Sequence, residues 1–315
     1  MKIVVTGALG HIGSRVIREL PAFLKGSEIV MIDDLSTQRY PSLFSLPTEG
    51  KYRFIEADVL KIDLNALCKG ADVVIHLAAI TNAAGSFEIR DKVEYVNYTA
   101  TRKVAEACIK EGCSMIYISS TSVYGTQSET VDEECSLSDL KPQSPYAETK
   151  LKEESLLESL GKTEGLKYII CRFGTIFGIS PGMRFHTAVN KFCWQAAIGQ
   201  PLTVWRTAMQ QKRPYLYLED AVKALIFIIK NNLFDCRVYN VLTTNSTVGE
   251  IVEIISTHVQ DIAVEYVDSP IMNQLSYHVL DSRFRGKGFK PEGTLADGIA
   301  ETMKLFSGII NTFKH

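Results

Sequence analysis

The sequence has no long apolar run: its longest, 221–229, is interrupted by Lys223 and is far too short to cross a bilayer. It also lacks a surplus of charge. The 34 Lys and Arg face 36 Asp and Glu, a formal net charge of -2, which excludes the basic surface that wraps nucleic acid or lies on an anionic membrane. Any anionic ligand must be met by a local site. The seven cysteines, at 68, 108, 113, 135, 171, 193 and 236, are odd in number and include no Cys-x-x-Cys pair, so reduced, structural thiols are expected, and no metal. No basic segment followed by an apolar core precedes the strand pattern Lys2-Ile3-Val4-Val5-Thr6, which points to a cytoplasmic location. No internal repeat or low-complexity tract is present.

What is present is 315 residues, 46% of them apolar, enough for one large domain and a smaller partner lobe. Short β-branched runs at 3–6, 29–32, 54–56, 73–77, 115–119 and 168–171 alternate with helical periodicity at 11–20, 87–110 and 146–160. That rhythm predicts an α/β fold with a parallel, doubly wound sheet. After Phe173 the pattern loosens around Gly174, Gly178, Pro181 and Gly182, then gives a helix near 187–198, a strand at 202–205 and a closing helix at 295–306. The expected division is therefore residues 1–173, with 215–242 returning to that domain, and a lobe built mainly from 174–315.

The first strand ends in Gly7-Ala8-Leu9-Gly10-His11-Ile12-Gly13, directly before a helix. Backbone N–H groups at such a helix start can meet a pyrophosphate, and glycines let the phosphates approach. The spacing Gly-x-x-Gly-x-x-Gly, with a strand before it and a helix after, satisfies the context a dinucleotide loop requires. About twenty residues on, the second strand ends at Asp33-Asp34, where a carboxylate accepts from ribose hydroxyls and repels a 2′-phosphate. NAD is expected over NADP, although Arg39 nearby leaves room for the latter. Asp58-Val59, after the third strand, either reaches the adenine edge or simply ends a strand. In His76-Leu77-Ala78-Ala79, the small residues after the fourth strand allow close approach of a nicotinamide, while His76 reads as a packed histidine.

Pro145-Tyr146-Ala147-Glu148-Thr149-Lys150 sets a phenol and an ammonium four residues apart, on one face of a helix. A free tyrosine holds its proton to about pH 10, so it becomes a base at neutrality only beside positive charge, which Lys150 provides. Either constituent alone would be an ordinary helical pair. Its company is Ser119-Ser120-Thr121-Ser122-Val123-Tyr124-Gly125 at the carboxyl end of the fifth strand, where open α/β sheets place ligands.

Taken in order, the glycine loop, Asp58, His76 to Ala79, Asn97, Ser119 to Gly125 and Tyr146 to Lys150 resemble the extended short-chain dehydrogenase/reductase family, and within it the nucleotide-sugar epimerase and dehydratase branch. The resemblance spans essentially the whole chain. It implies a Rossmann domain with a smaller C-terminal α/β substrate lobe, NAD as cofactor and a nucleotide sugar as partner. By motif position, Tyr146 is the acid/base, Lys150 holds the cofactor, Ser120 is the family's Ser/Thr hydroxyl and Asn97 supports the site. Thr121, Ser122 and Thr175 fall on the substrate side. In Lys212-Arg213-Pro214-Tyr215, Arg213 matches the arginine that grips the substrate pyrophosphate, a role suited to a forked guanidinium, with Pro214 in place of the usual acid. Trp205 either stacks on the nucleotide base or packs in the lobe core. In the segment 269–277, where relatives carry another pyrophosphate-binding arginine, this chain has none.

Family 4,6-dehydratases place an Asp-Glu pair directly after the catalytic Ser/Thr; Thr121-Ser122 stand there, which disfavours dehydration. The resemblance thus implies a 4-epimerase in which Tyr takes a sugar hydroxyl proton as hydride passes to NAD, and the hydride returns to the opposite face. A sugar dehydrogenase or ketoreductase with net hydride transfer stays open, because 177–184 also resembles heptose-modifying dehydrogenases of the superfamily. A cofactor-sensing regulator without chemistry is the reading from another class, disfavoured by the intact Tyr146 and Lys150. Relatives dimerise through the counterparts of helices 87–110 and 146–160, and Val93, Val96, Val104, Leu151, Leu156 and Leu157 on more than one face suggest the same homodimer here.

Overall fold

The computed structural model describes residues 1–125, 130–136, 138, 140–259, 261–268 and 276–309. Its centre is a seven-stranded sheet of β1 (Lys2–Thr6), β2 (Glu28–Asp33), β3 (Lys51–Glu56), β4 (Val73–His76), β5 (Ser114–Ser120), β6 (Tyr168–Phe173) and β7 (Val238–Val241). All neighbours are parallel, in the order 3-2-1-4-5-6-7. A sheet covered on both faces must be apolar on both, and β1 shows why the run is continuous. Ile3 and Val5 join one core with Val16, Ile17 and Leu225, whereas Val4 joins the opposite core with Val74, Val104 and Leu157. The first core is roofed by helices His11–Phe23 and Leu218–Lys230, the second by Arg90–Glu111 and Pro145–Glu164.

The strand order reverses between β1 and β4, so their carboxyl ends open a crevice. The chain leaves the sheet after Phe173 to build a second core around Phe177, Phe192, Leu202, Tyr217, Ile251 and Ile299. Strands Thr175–Phe177, Lys212–Tyr217 and Thr244–Thr247 form a small sheet there, with Lys212–Tyr217 in the middle, and Leu202–Trp205 pairs with Val264–Val267. The chain then returns through helix Leu218–Lys230 to β7, which pairs with β6.

One sequence expectation changes. The helix expected from 87 starts at Arg90, behind a short 3-10 turn at Gly85–Phe87, because Ile89 leaves helical geometry with φ -128° and ψ 35°. Of the six apolar residues, on more than one helix face, that suggested a dimer, three are spent inside the chain. Val93, Val104 and Leu157 are fully buried, since the two helices pack on each other and on the sheet at once. Val96, Leu151 and Leu156 are half-buried, and Tyr95 is 65% exposed.

Candidate active site

The crevice is floored by the glycine loop. Gly7 has φ +64°, and a Cβ there would lie 2.6 Å from Ala78 N; one at Gly13 would lie 2.4 Å from Gly7 O. Only glycine fits, because the loop is pressed against the segment that follows β4. Thr6 Oγ1 accepts hydrogen bonds from Leu77 N at 3.2 Å and Ala78 N at 3.3 Å, which holds the two strand ends together. The helix after the loop starts at Gly10 with no side-chain cap, so its first N–H groups are offered to a ligand. Ile12 packs against the core below them.

Asp33 takes Leu9 N on one oxygen and Leu35 N on the other, both at 3.0 Å, and so braces the loop. Burial pushes its carboxyl up. Asp34 is exposed and accepts only from Ser36 N, at 3.0 Å, within its own turn. Asp58 likewise caps a turn, accepting from Leu60 N at 2.9 Å, with Lys61 3.4 Å away, while Val59 is buried in the second core. His11 contributes its backbone to the loop; its ring is buried, bonds Gly178 O at 2.9 Å, and is pushed down to about 4 by burial. His76 is packed, as its sequence context suggests. Its Nδ1 lies 2.7 Å from Thr6 Oγ1, and burial drives its pKa down to about 3, so the ring is neutral. Asn97 is fully buried and holds Ile80 by both backbone groups, N at 2.8 Å and O at 2.9 Å, which fixes the segment containing Ala78 and Ala79.

Helix Pro145–Glu164 is started by Ser144, whose hydroxyl accepts from Ala147 N at 3.2 Å, with Pro145 at the first turn. This places Tyr146 at the rim and Lys150 one turn deeper. Lys150 is 4% exposed; its Nζ donates to Tyr117 Oη at 3.0 Å and lies 5.8 Å from the centre of the Tyr146 ring. Burial raises the Tyr146 phenol, Lys150 works against that, Glu153 reinforces it and Arg184 opposes it. Ser120 ends β5 and accepts from Ser122 N at 3.2 Å and Ser122 Oγ at 2.9 Å. Thr121 is buried and donates to Phe173 O at 3.3 Å.

On the other side, Thr175 pairs with Tyr215 and is half-buried. Arg213 stacks 4.9 Å over the Tyr277 ring and donates to Gln211 Oε1 at 3.3 Å. Trp205 is 38% exposed at the end of its strand, so of its two readings the lobe-core one falls away. Most of the segment expected to lack a pyrophosphate-binding arginine, 269–275, lies outside the described residues; Ser276 binds Lys212 N at 2.8 Å.

Three residues at the site escaped the sequence reading as individuals: Arg184, Tyr117 and Glu153. Gly182 sits so close to the loop that a Cβ would lie 2.3 Å from Leu9 O, which brings Arg184 into the crevice. Its Nη1 donates to Thr81 Oγ1, its buried Nε has no hydrogen-bond partner among the described residues, and its charge acts on His11 and His186. The signal was an arginine two residues after Gly182, in a stretch that reads from sequence as a connection. Among the described residues, no group of His, Cys, Asp or Glu can hold a metal and no helix is long and apolar enough to cross a membrane.

Comparison with known proteins follows the same lines. Over 238 residues the chain is 34% identical to a protein of Bacillus subtilis described as an uncharacterized UDP-glucose epimerase, YtcB, covering 73% of this chain and 72% of that one. It is 28% identical to the trifunctional UDP-glucose 4,6-dehydratase/UDP-4-keto-6-deoxy-D-glucose 3,5-epimerase/UDP-4-keto-L-rhamnose-reductase of Arabidopsis thaliana over 97% of this chain, but spans about half (47%) of that protein. The structure of UDP-glucuronic acid 4-epimerase from Bacillus cereus, in complex with UDP-glucuronic acid and NAD, superposes with a TM-score of 0.87 at 27% identity, covering 97% of this chain and 99% of the other. The model of the NAD dependent epimerase/dehydratase family matches residues 3–241, and with the loop, the strand order and the Tyr146–Lys150 face in place, the chain belongs to that family.

Proposed function

We propose that the protein is an NAD-dependent nucleotide-sugar epimerase acting at C4. The observation that carries this is the meeting, at one switch point, of a loop only glycine can form with the Tyr146 and Lys150 face of helix Pro145–Glu164. The residues fit NAD: the uncapped helix start takes the pyrophosphate, the Asp33 and Asp34 end of β2 takes the adenosine ribose, and Ala78 and Ala79 leave room for the nicotinamide. When bound, the nicotinamide supplies a reversible hydride acceptor. Tyr146 takes the sugar hydroxyl proton and returns it, Ser120 holds the same hydroxyl, Lys150 supplies positive charge, and Arg213 grips the substrate diphosphate from the lobe built mainly after residue 174. Trp205, exposed, is suited to stacking on the base. Thr121 and Ser122, lacking carboxyls, supply no acid or base for elimination.

The purified protein, incubated with UDP-, GDP-, CDP- and dTDP-sugars and catalytic NAD, should yield an isomer of unchanged mass, resolved by chromatography and NMR. Product only with stoichiometric cofactor would replace this reading by a dehydrogenase or ketoreductase. A cytoplasmic location belongs to the same proposal, supported by seven free thiols. So does a homodimer through the outer faces of helices Arg90–Glu111 and Pro145–Glu164, for which Tyr95 and the half-buried Val96, Leu151 and Leu156 remain the support. Light scattering at micromolar concentration should give twice the 35.1 kDa chain mass, and a monomer would remove the idea.

A further inference from the structure

Glu153 is an acid in an unexpected place. It is 1% exposed, on the same helix as Tyr146 and Lys150, beneath the crevice. One oxygen accepts the hydroxyl of Thr101 from helix Arg90–Glu111. The other, Oε2, lies 3.4 Å from the Lys150 ammonium, and the Tyr117 phenol also interacts with this carboxylate. Burying a carboxylate is costly unless it is paired, so the pair ties Lys150 down on the side of Glu153 and Tyr117, away from the phenol one turn earlier. We propose that Glu153 is a positioning residue, which fixes Lys150 and sets the proton affinity of Tyr146 by holding a negative charge against the lysine.

The other charged and titratable groups facing this pair are few. Tyr117 comes from β5, its phenol raised by burial; His76 comes from β4 and is neutral; Arg184 comes from the segment over the loop; Glu154, next on the helix, is spent on Arg172. Helix Arg90–Glu111 presents the Thr101 hydroxyl. Among the described residues, Glu153 is therefore the negative charge beside Lys150 that no other cation shares, and it opposes the phenolate form of Tyr146. Removing it should let the Tyr146 proton leave at lower pH.

The inference rests on Tyr146 as the acid/base, but its test does not depend on turnover. In protein labelled at tyrosine Cζ with carbon-13, the Tyr146 signal, identified by its absence in Tyr146→Phe, should titrate about 1 pH unit lower in Glu153→Gln than in the parent. The acidic limb of the kcat/KM profile should move with it, whereas Glu153→Asp, which keeps the charge, should restore the parent values. An unmoved or raised Tyr146 titration in folded Glu153→Gln overturns the proposal. If that variant does not fold, Glu153→Leu, which removes the charge and fills the buried site with apolar volume, should lower the same titration by a like amount, and an unmoved signal there is equally fatal. A shifted NMR titration with a Tyr146→Phe enzyme that retains full activity would leave the Glu153 coupling standing and sink the catalytic assignment instead.

Discussion

Replacing Tyr146 by phenylalanine should lower kcat by roughly 10³-fold, the range expected when a positioned acid/base is removed. KM should change little. The Lys150 ammonium lies 5.8 Å from the centre of the ring, and phenylalanine keeps the ring while losing only the hydroxyl proposed to exchange a proton with the sugar. The loss corresponds to about 4 kcal/mol of transition-state stabilisation, all of it chemical. Cofactor affinity, read by isothermal titration, should stay within a few-fold of the parent, because the loop at Gly7 to Gly13 is untouched. A folded variant with parent activity would show that another group moves the proton.

The second large effect is on stability. Arg172 on β6 meets Glu154 with two hydrogen bonds, Nε to Oε1 at 2.9 Å and Nη2 to Oε2 at 2.6 Å, both residues 5% exposed. Ser119 donates to the same carboxylate, and the guanidinium lies 4.9 Å over the Tyr124 ring, whose hydroxyl reaches Asn240 at 2.8 Å. Arg172→Met should cost about 3–5 kcal/mol in urea unfolding at neutral pH, because it leaves a buried carboxylate facing one hydroxyl. Adding Glu154→Leu should recover much of the loss, because the cost lies in the orphaned charge and not in the absence of the pair. Equal stability of the single and double variants would contradict this account.

The parts of the molecule legible in sequence are those written within one turn or one strand. Gly7, Gly10 and Gly13 carry their spacing with them, and Tyr146 and Lys150 must share a face wherever that helix goes. Five strands stand out because both of their faces are apolar, and the edge strand Lys51–Glu56 by its Phe54-Ile55 pair alone. The seventh, Val238–Val241, is short, holds Asn240, and is a strand only because β6 is there to pair with it. Arg184, Tyr117 and Glu153 reach the site from a loop, a strand and the buried side of a helix, so their meeting is tertiary and leaves no spacing to read. The apolar residues that suggested a dimer divide for a related reason. Apolar residues around a helix show that it is covered on several sides, not whether the cover comes from the same chain, and Val93, Val104 and Leu157 are covered internally. Trp205 ran the other way, its exposure being invisible in the sequence.

The late arrival of β7 bears on how the protein can be cut and how it folds. All six residues of β6 are buried, and the strand that covers its outer edge pairs with it 68 residues further along the chain, as with Ile170 against Val238. A fragment ending after Phe173 would therefore present a long, unpaired, β-branched edge, the kind of surface that recruits a strand from a neighbouring molecule. During synthesis the same edge stays bare until the excursion through the smaller lobe is made, so completion of the large sheet waits on that lobe. The two halves are thus a single folding unit, and aggregation is the natural fate of a chain that stops between them.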